Sequence, residues 1–298
     1  MSFVCYAKIT AKLRSVNNEL RLLAVRAHPD DEASKGAATI AKYVAEGIKV
    51  LIVTATGGER GDLLNKSLEI SPNADIAQIR KQEMANAIKI LGCQHRWLGF
   101  VDSGYPEGDL KPPLPDGCFA AIDPEKAAAP LVEIFREFKP HVVTTYDENG
   151  GYPHPDHIRT HEITMRAYQN AADPSYPSDL SVWQVPKIYY HQTFSYDKVV
   201  TMHQAALTAN LISPLAEWLT DWEPEPSRVT TQFHCAEYFS VRDNVLKAHA
   251  TQVDPTGMWF AFPRELEREI WPTEDYELAI DNVGVKLPET DLFNGLRG

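Results

Sequence analysis

Cysteine is scarce in this chain. Only Cys5, Cys93, Cys118 and Cys235 occur in 298 residues, and no two form a CxxC pair. A thiolate metal cluster or a disulfide-stapled scaffold is therefore not expected, and the thiols read as buried or incidental. Positive charge is also short. Lys and Arg number 29 against 41 Asp and Glu, a net charge of −12. That balance argues against binding nucleic acid or an anionic membrane through a general basic surface, though it leaves room for a local basic pocket. No apolar run reaches the roughly 18 residues of a membrane span. The stretch Met1–Asn18 holds three Lys/Arg but no apolar core or small-residue cleavage site. No signal peptide is expected, a reducing cytoplasm is, and residues 1–19 read as a tail. Internal repeats and low-complexity tracts are missing too.

What is present is an alternation of strand-like and helix-like segments. Leu22–Val25, Lys49–Thr54, His95–Leu98 and His141–Tyr146 are short apolar or β-branched runs that read as strands. Between them lie helical patterns at Ala33–Ala45, Ile76–Leu91, Ala127–Phe138 and His157–Ala172, the second closed by Gly92 and the third by Pro140. Such alternation predicts an α/β fold, a Rossmann-like, mostly parallel sheet with helices on both faces. The rest is less regular. Asp173–Gln184 reads as a loop, Pro186–Gln192 as a strand, Val199–Trp222 as a helix interrupted near Pro214, and Glu237–Thr251 as a helix. An aromatic stretch with Trp259, Phe260, Phe262, Trp271 and Tyr276 follows, suited to cover the core or a site. The expectation is one domain over 20–298, with an α/β core at 20–172 and a part at 173–298 that completes the sheet and covers the substrate.

Two clusters carry the chemistry. Ala27-His28-Pro29-Asp30-Asp31-Glu32 follows the first strand, and His154-Pro155-Asp156-His157 follows the fourth. In open α/β sheets ligands bind beyond the carboxyl ends of strands, and both clusters fall there. A dinucleotide-binding turn would need glycines where His28-Pro29-Asp30-Asp31 stands, and two carboxylates there would repel phosphate. Imidazole and carboxylate ligands instead suit a hydrolytic metal site with open positions. His28 and Asp31 are three apart across a turn, so both can aim at one ion while Asp30 points elsewhere. Either His154 or His157 can complete a His2Asp set, leaving the other to face substrate. Asp30 is placed to act as general base, and Asp156 to orient a ligand histidine. His154–His157 alone would pass as a capped loop; the pair of clusters is far more specific.

Together with Gly151-Tyr152-Pro153, these clusters resemble the LmbE-like, or glucosaminyl-phosphatidylinositol de-N-acetylase, family of metal-dependent amide hydrolases. Longer stretches carry the likeness across roughly residues 20–295, among them Thr56–Gly61, Trp97–Gly104, Thr145–Gly151 and Ala248–Gln252, and they match the branch that acts on mycothiol S-conjugates. The resemblance implies His28, Asp31 and His157 as ligands of Zn2+, with Fe2+ an alternative. It implies Asp30 as the base that activates water, and His154 as the cation or acid that stabilises the oxyanion and assists the leaving amine. Tyr152 would add a hydrogen bond to that oxyanion. Arg80 and Asp102 would hold sugar and inositol hydroxyls, and Lys35 matches a position where the sibling deacetylases carry Ser. From the residues alone, Arg80 would be a solvent-facing helix residue, Asp102 a turn former and Glu32 a helix N-terminal charge. Arg26 departs from the histidine expected two residues before His28. The implied substrate is a small-molecule thiol conjugate. Its hydrolysis at the amide between N-acyl-cysteine and glucosaminyl-inositol would serve detoxification. Removal of acetate from N-acetylglucosaminyl-inositol, or non-catalytic sugar binding, are the rivals.

Overall fold

The computed structural model describes residues 20–71, 73–106 and 112–297, so the expected tail at 1–19 and Cys5 lie outside the described residues. Strand β1 (Arg21–Arg26) leads into two short helices, α1 (Asp31–Ser34) and α2 (Ala37–Ala45). Strand β2 (Lys49–Thr56), helix α3 (Ile76–Leu91), strand β3 (Gln94–Phe100), helix α4 (Pro124–Phe138), strand β4 (Val142–Thr145) and helix α5 (Pro155–Ala172) follow. The second half contributes β5 (Lys187–His191), α6 (Tyr196–Thr208), β6 (Thr231–His234), α7 (Phe239–Ala248), α8 (Met258–Ala261), α9 (Arg264–Ile270) and β7 (Thr273–Asp281).

All seven strands form one sheet in the order β3-β2-β1-β4-β5-β7-β6. The first five run parallel, and β7 pairs antiparallel with both β5 and β6. Strand alternation divides the core into two layers. Leu22, Ala24, Val50 and Ile52 pack under α2, α3 and α7 on one face. Leu23, Val25, Leu51 and Val53 pack under α4 and α5 on the other. The expected mostly parallel sheet with helices on both faces is therefore observed. From β1 the chain winds outward through β2 and β3, then returns to the opposite side of β1 as β4. The loops after β1 and β4 thus leave the sheet side by side at the point where strand order reverses, where a crevice opens in folds of this kind.

Several element boundaries differ from expectation, each for a local reason. The expected helix Ala33–Ala45 is two helices, because Gly36 turns at φ 111 and the Lys35 carbonyl is taken by Arg26 at 2.7 Å. The helix expected over Val199–Trp222 spans only Tyr196–Thr208; Ser213 instead bonds His203 and the Leu215 N–H, turning the chain back. The helix expected from Glu237 to Thr251 begins in a short 3-10 turn and ends at Ala248. Helix α3 has the expected ends, yet its buried residues include Arg80 and Glu83, while Ile76 and Ile79 are only half-buried. Cys93, Cys118 and Cys235 are free thiols. Among the described residues no helix is long and apolar enough to cross a membrane.

Candidate active site

The loop after β1 turns sharply at Asp30, which adopts the left-handed conformation at φ 96 and ψ −23. That region is uncommon for a residue with a Cβ and is found where surrounding contacts impose it. Here the Asp30 N–H donates to Glu32 Oε2 at 3.1 Å, and the Asp30 carbonyl accepts from the N–H groups of Ala33 and Ser34. The turn presents His28 and Asp31 to the end of β4. Across the gap, His154 caps α5 and His157 lies in its first turn.

Hydrogen bonds fix the orientation of each imidazole. His157 Nδ1 lies 2.9 Å from the Gly150 carbonyl, an acceptor only, so Nδ1 carries the proton and Nε2 presents a lone pair. Gly150 has φ +75, and a Cβ there would sit 2.6 Å from the His157 Cβ, so the turn that supplies this carbonyl needs glycine. His28 Nε2 lies 3.2 Å from Asp156 Oδ2. Asp156 is itself gripped by Ser103, through its N–H at 3.0 Å and its hydroxyl. His28 Nδ1 and His157 Nε2 each stand 3.5 Å from one atom, Asp31 Oδ2. His157 Nε2 is buried with no hydrogen-bond partner.

Asp31 is locked from three sides. Lys35 Nζ holds Oδ1 at 2.6 Å. The Tyr146 hydroxyl and the His28 N–H hold Oδ2 at 2.6 and 2.9 Å. Burial would raise its pKa, but the Lys35 ammonium beside it counters that and the carboxyl lies well below its ordinary range. For His28, burial opposes the charged form, yet Asp102, Asp156 and Asp31 around it raise its pKa well above the ordinary value.

These observations fit a divalent cation. A buried imidazole lone pair facing a carboxylate oxygen at 3.5 Å is a pair of acceptors with no proton between them, and a cation satisfies both. The spacing is also close to that of neighbouring ligands in a tetrahedral zinc site, which at bond lengths of ~2.0–2.2 Å lie ~3.3–3.5 Å apart. Donor atoms of three residues lie within 4.8 Å of one another in His28–His154–His157 and in His28–Asp102–Asp156, neither of which includes Asp31. In the second, Asp156 is committed to Ser103.

Around this centre lies an open cleft of about 720 Å3 bordered by Asp30, Arg80, Asp102, Tyr152 and His154, with Arg60, Asp62 and Gln252 on its walls. Burial and the neighbouring Asp31 charge push the Asp30 carboxyl up to about 6, against the pull of Arg80. Arg80 is no solvent-facing helix residue. It is buried, donates to the carbonyls of Gly58 and Pro29 and lies 3.5 Å from Asp30. A Cβ on Gly58 or Gly61 would strike its guanidinium, which explains the glycines in that turn. Asp102, expected either as a turn former or as a hydroxyl ligand, accepts from the N–H groups of Arg60 and Gly104 and lies 3.6 Å from His28. His28 beside it, against the opposing effect of burial, holds its carboxyl well below the usual range.

His154, expected as a cation or acid, has surroundings that favour the neutral ring. Burial and the neighbouring His28 and His157 lower its pKa to about 3. Its Nδ1 accepts the Asp156 N–H at 3.1 Å, so the neutral ring carries its proton on Nε2 and is a hydrogen-bond donor. Tyr152 is half exposed beside it, with its ring 4.7 Å from that of His157. Arg26 binds the Val25, Thr144 and Lys35 carbonyls and the Thr144 hydroxyl, bracing β1 against β4.

Three residues that position the centre escape a reading of the sequence: Tyr146, Ser103 and His249. Glu32 is not merely a helix-terminal charge. It is fully buried against His249, with Oε1 2.5 Å from Nε2. Tyr146, Ser103 and His249 each lie in a stretch that carries the family likeness, which is the one signal that points to them.

Residues 23–168 match the family described as PIG-L, GlcNAc-PI de-N-acetylase. The mycothiol S-conjugate amidase of Streptomyces coelicolor is 53% identical over 95% of this chain and 99% of its own length. The 1D-myo-inositol 2-acetamido-2-deoxy-alpha-D-glucopyranoside deacetylase of Streptomyces avermitilis is 36% identical over 93% of this chain and 97% of its own. Among solved structures, the N,N'-diacetylchitobiose deacetylase of Pyrococcus horikoshii shares the fold, with a TM-score of 0.60 at 15% identity, covering 93% of this chain and 92% of that one.

Proposed function

Because the chain belongs to the GlcNAc-PI de-N-acetylase family, we propose that it is a divalent-metal-dependent amidase acting on mycothiol S-conjugates. It would cleave the amide that joins an N-acylated cysteine thioether to glucosaminyl-inositol. We take residues 20–298 as one catalytic unit, since β5, β6 and β7 extend the sheet that holds the site. The observation that carries the hydrolytic reading is the convergence of His28 Nδ1 and His157 Nε2 on Asp31 Oδ2, with Asp30 on the next residue facing the cleft. The choice of the amidase branch over the deacetylase branch is supported by 53% identity to a member of the former against 35–39% to members of the latter.

His28, Asp31 and His157 would hold the metal, with zinc the ion their donor set suits best and Fe2+ the alternative. That ion would supply Lewis-acid polarisation of the amide carbonyl and acidify water near neutral pH. Asp30 takes the proton of the attacking water. The Nε2–H of neutral His154, with the Tyr152 hydroxyl, donates to the oxygen on which negative charge develops. As the C–N bond breaks, the proton that Asp30 took from the water passes to the leaving amine nitrogen, giving a mercapturic acid and glucosaminyl-inositol. Asp156 holds His28 in its tautomer. Arg80 steadies Asp30, and with Asp102, Arg60 and Gln252 it shapes the polar wall for sugar and inositol hydroxyls. Lys35 anchors Asp31 and helps set the preference for amidase over deacetylase chemistry. Detoxification of captured electrophiles in a reducing cytoplasm belongs to the same proposal; the three described thiols are free.

The test is product analysis on metal-loaded protein. A mycothiol S-conjugate should yield mercapturic acid and glucosaminyl-inositol in equal amounts, and chelation should abolish both. No release of amine from any S-conjugate would overturn the proposal.

A further inference from the structure

The cleft is not the only space that meets the centre. On the far side of Tyr152 lies a cavity of about 260 Å3, bordered at its inner end by Lys35 and Tyr146. Both of these touch Asp31. Its outer wall is the strip His191–Phe194 with Met258 and Trp259. The same strip and the same two residues also border a smaller space of about 90 Å3, lined by Met202, Leu215, Trp218 and Phe262 and by charged groups that include Arg242, Arg264 and Glu267. The two spaces therefore share one wall, and we take them together as one passage beside the centre.

Apolar surface makes up a larger share of this passage than of the cleft. Phe194 stacks on Trp259 with ring centroids 5.8 Å apart, and meets Trp218 edge-on at 4.9 Å. Phe194 and Met258 are 37% and 50% exposed. Large apolar groups left open beside a buried polar centre are a binding surface by their chemistry. Behind them sits one unsatisfied polar group. His191 is 8% exposed, its Nδ1 pairs with the Thr193 hydroxyl at 3.0 Å, and its buried Nε2 has no hydrogen-bond partner.

We propose that this passage binds the acyl half of the substrate, with an apolar thioether substituent between Phe194, Trp259, Trp218 and Met258. The proposal rests on the amidase reading above. The scissile amide has two sides. Its amine side is a polyol, and the large cleft offers charged and polar walls. Its acyl side is a cysteine carrying an acetamido group and a thioether, and the passage offers an apolar, aromatic wall of matching kind. A deacetylase must house only a methyl group on that side, so a passage of this size marks specificity for larger acyl groups. Ring faces accept many substituent shapes, so selectivity should follow size and apolarity more than any one structure.

The experiment compares S-benzyl and S-methyl conjugates of mycothiol on the wild type and on Trp259→Ala and Phe194→Leu. In the wild type the S-benzyl conjugate should have at least about a tenfold higher kcat/KM, a conservative value for an aromatic group set in an apolar pocket. Either variant should cut that ratio by about tenfold, mainly through a higher KM for the S-benzyl conjugate, because such contacts hold ground state and transition state alike. If Trp259→Ala fails to fold, Phe194→Leu and the wild-type ratio still decide. Wild type that hydrolyses both conjugates at equal kcat/KM, or variants that keep the wild-type ratio, overturn the passage while leaving the amidase reading standing. Wild type inactive on both overturns the amidase reading and the passage with it.

Discussion

Glu32 and His249 stand 217 positions apart in the sequence and meet in a fully buried pair, 2.5 Å from Oε1 to Nε2. The other oxygen of Glu32 receives the Asp30 N–H. The pair thus anchors α7 to the left-handed turn that aims Asp30 into the cleft. Breaking a buried pair leaves one polar partner stranded, at a cost of about 3–5 kcal/mol where both groups are charged. His249→Ala should lower thermal stability and reduce kcat by about tenfold or more, with bound metal retained. Metal analysis beside steady-state kinetics checks this. Wild-type kcat in a destabilised His249→Ala protein would show that the pair serves stability alone.

Asp30→Asn should keep the metal and lose about 10²-fold or more in turnover, the lower range for general-base catalysis. Loss of metal in proportion to activity would make Asp30 a ligand. The same carboxyl sets a pH limb. Its pKa is pushed up to about 6 by burial and by Asp31, and it acts as a base only when ionised. Turnover should therefore fall as pH drops below about 6, and a bound cation can only shift that limb lower. Arg80 pulls the value down, so Arg80→Leu should move the acidic limb to higher pH. A pH–rate profile of the two proteins measures it.

Tyr146 donates to the Asp31 oxygen that both imidazoles face. His28→Ala, Asp31→Ala and His157→Ala should each lose metal and activity together. Tyr146→Phe should lower metal affinity by about 10–100-fold, the usual effect of removing a group that orients a ligand. Competition with a chelator gives both numbers. Full occupancy in all three alanine variants would contradict the ligand assignment.

The acid limit of stability should depend on Glu267. Burial opposes its charge, but Arg242 and Arg264 outweigh it and hold the carboxyl at about 2, against an ordinary 4.5. A depressed carboxyl stabilises the fold fully above the unfolded value and loses that effect as pH falls through the folded one. The window is therefore pH 4.5 down to about 2, and the loss is on the order of 3 kcal/mol. In urea titrations across that window, Glu267→Gln should be less stable than wild type at pH 5 and should lose less on acidification. Parallel curves would contradict it.

Much of this was legible in the sequence because its signals are local. β1, β2 and β4 are built on apolar or β-branched runs, and each cluster of metal-type residues spans only four to six positions after a strand. The antiparallel β7 was not legible, because Thr273-Glu-Asp-Tyr-Glu carries three acids, two of which, Glu274 and Glu277, have partners far away in sequence. Glu274, for example, accepts from the Ala38 and Thr39 N–H groups at the start of α2. The same reason hid Glu32–His249 and Ser103–Asp156. Arg80 looks like a surface residue in its helix until the glycines of the turn at Gly58 and Gly61 are seen to pack on it. The resemblance implied His154 as a cation or acid, and the choice of a neutral donor follows only from the N–H of Asp156 on Nδ1 and from burial.

The central claim is amidase chemistry on a thiol conjugate, and one paired measurement tests it most directly. A single metal-loaded preparation is given a bulky S-conjugate of mycothiol and N-acetylglucosaminyl-inositol at equal concentration, and kcat/KM is compared through the common amine product. The account predicts the S-conjugate is hydrolysed faster, by tenfold or more if acyl contacts are worth about 1.4 kcal/mol. Faster hydrolysis of N-acetylglucosaminyl-inositol would contradict it and make the chain a deacetylase.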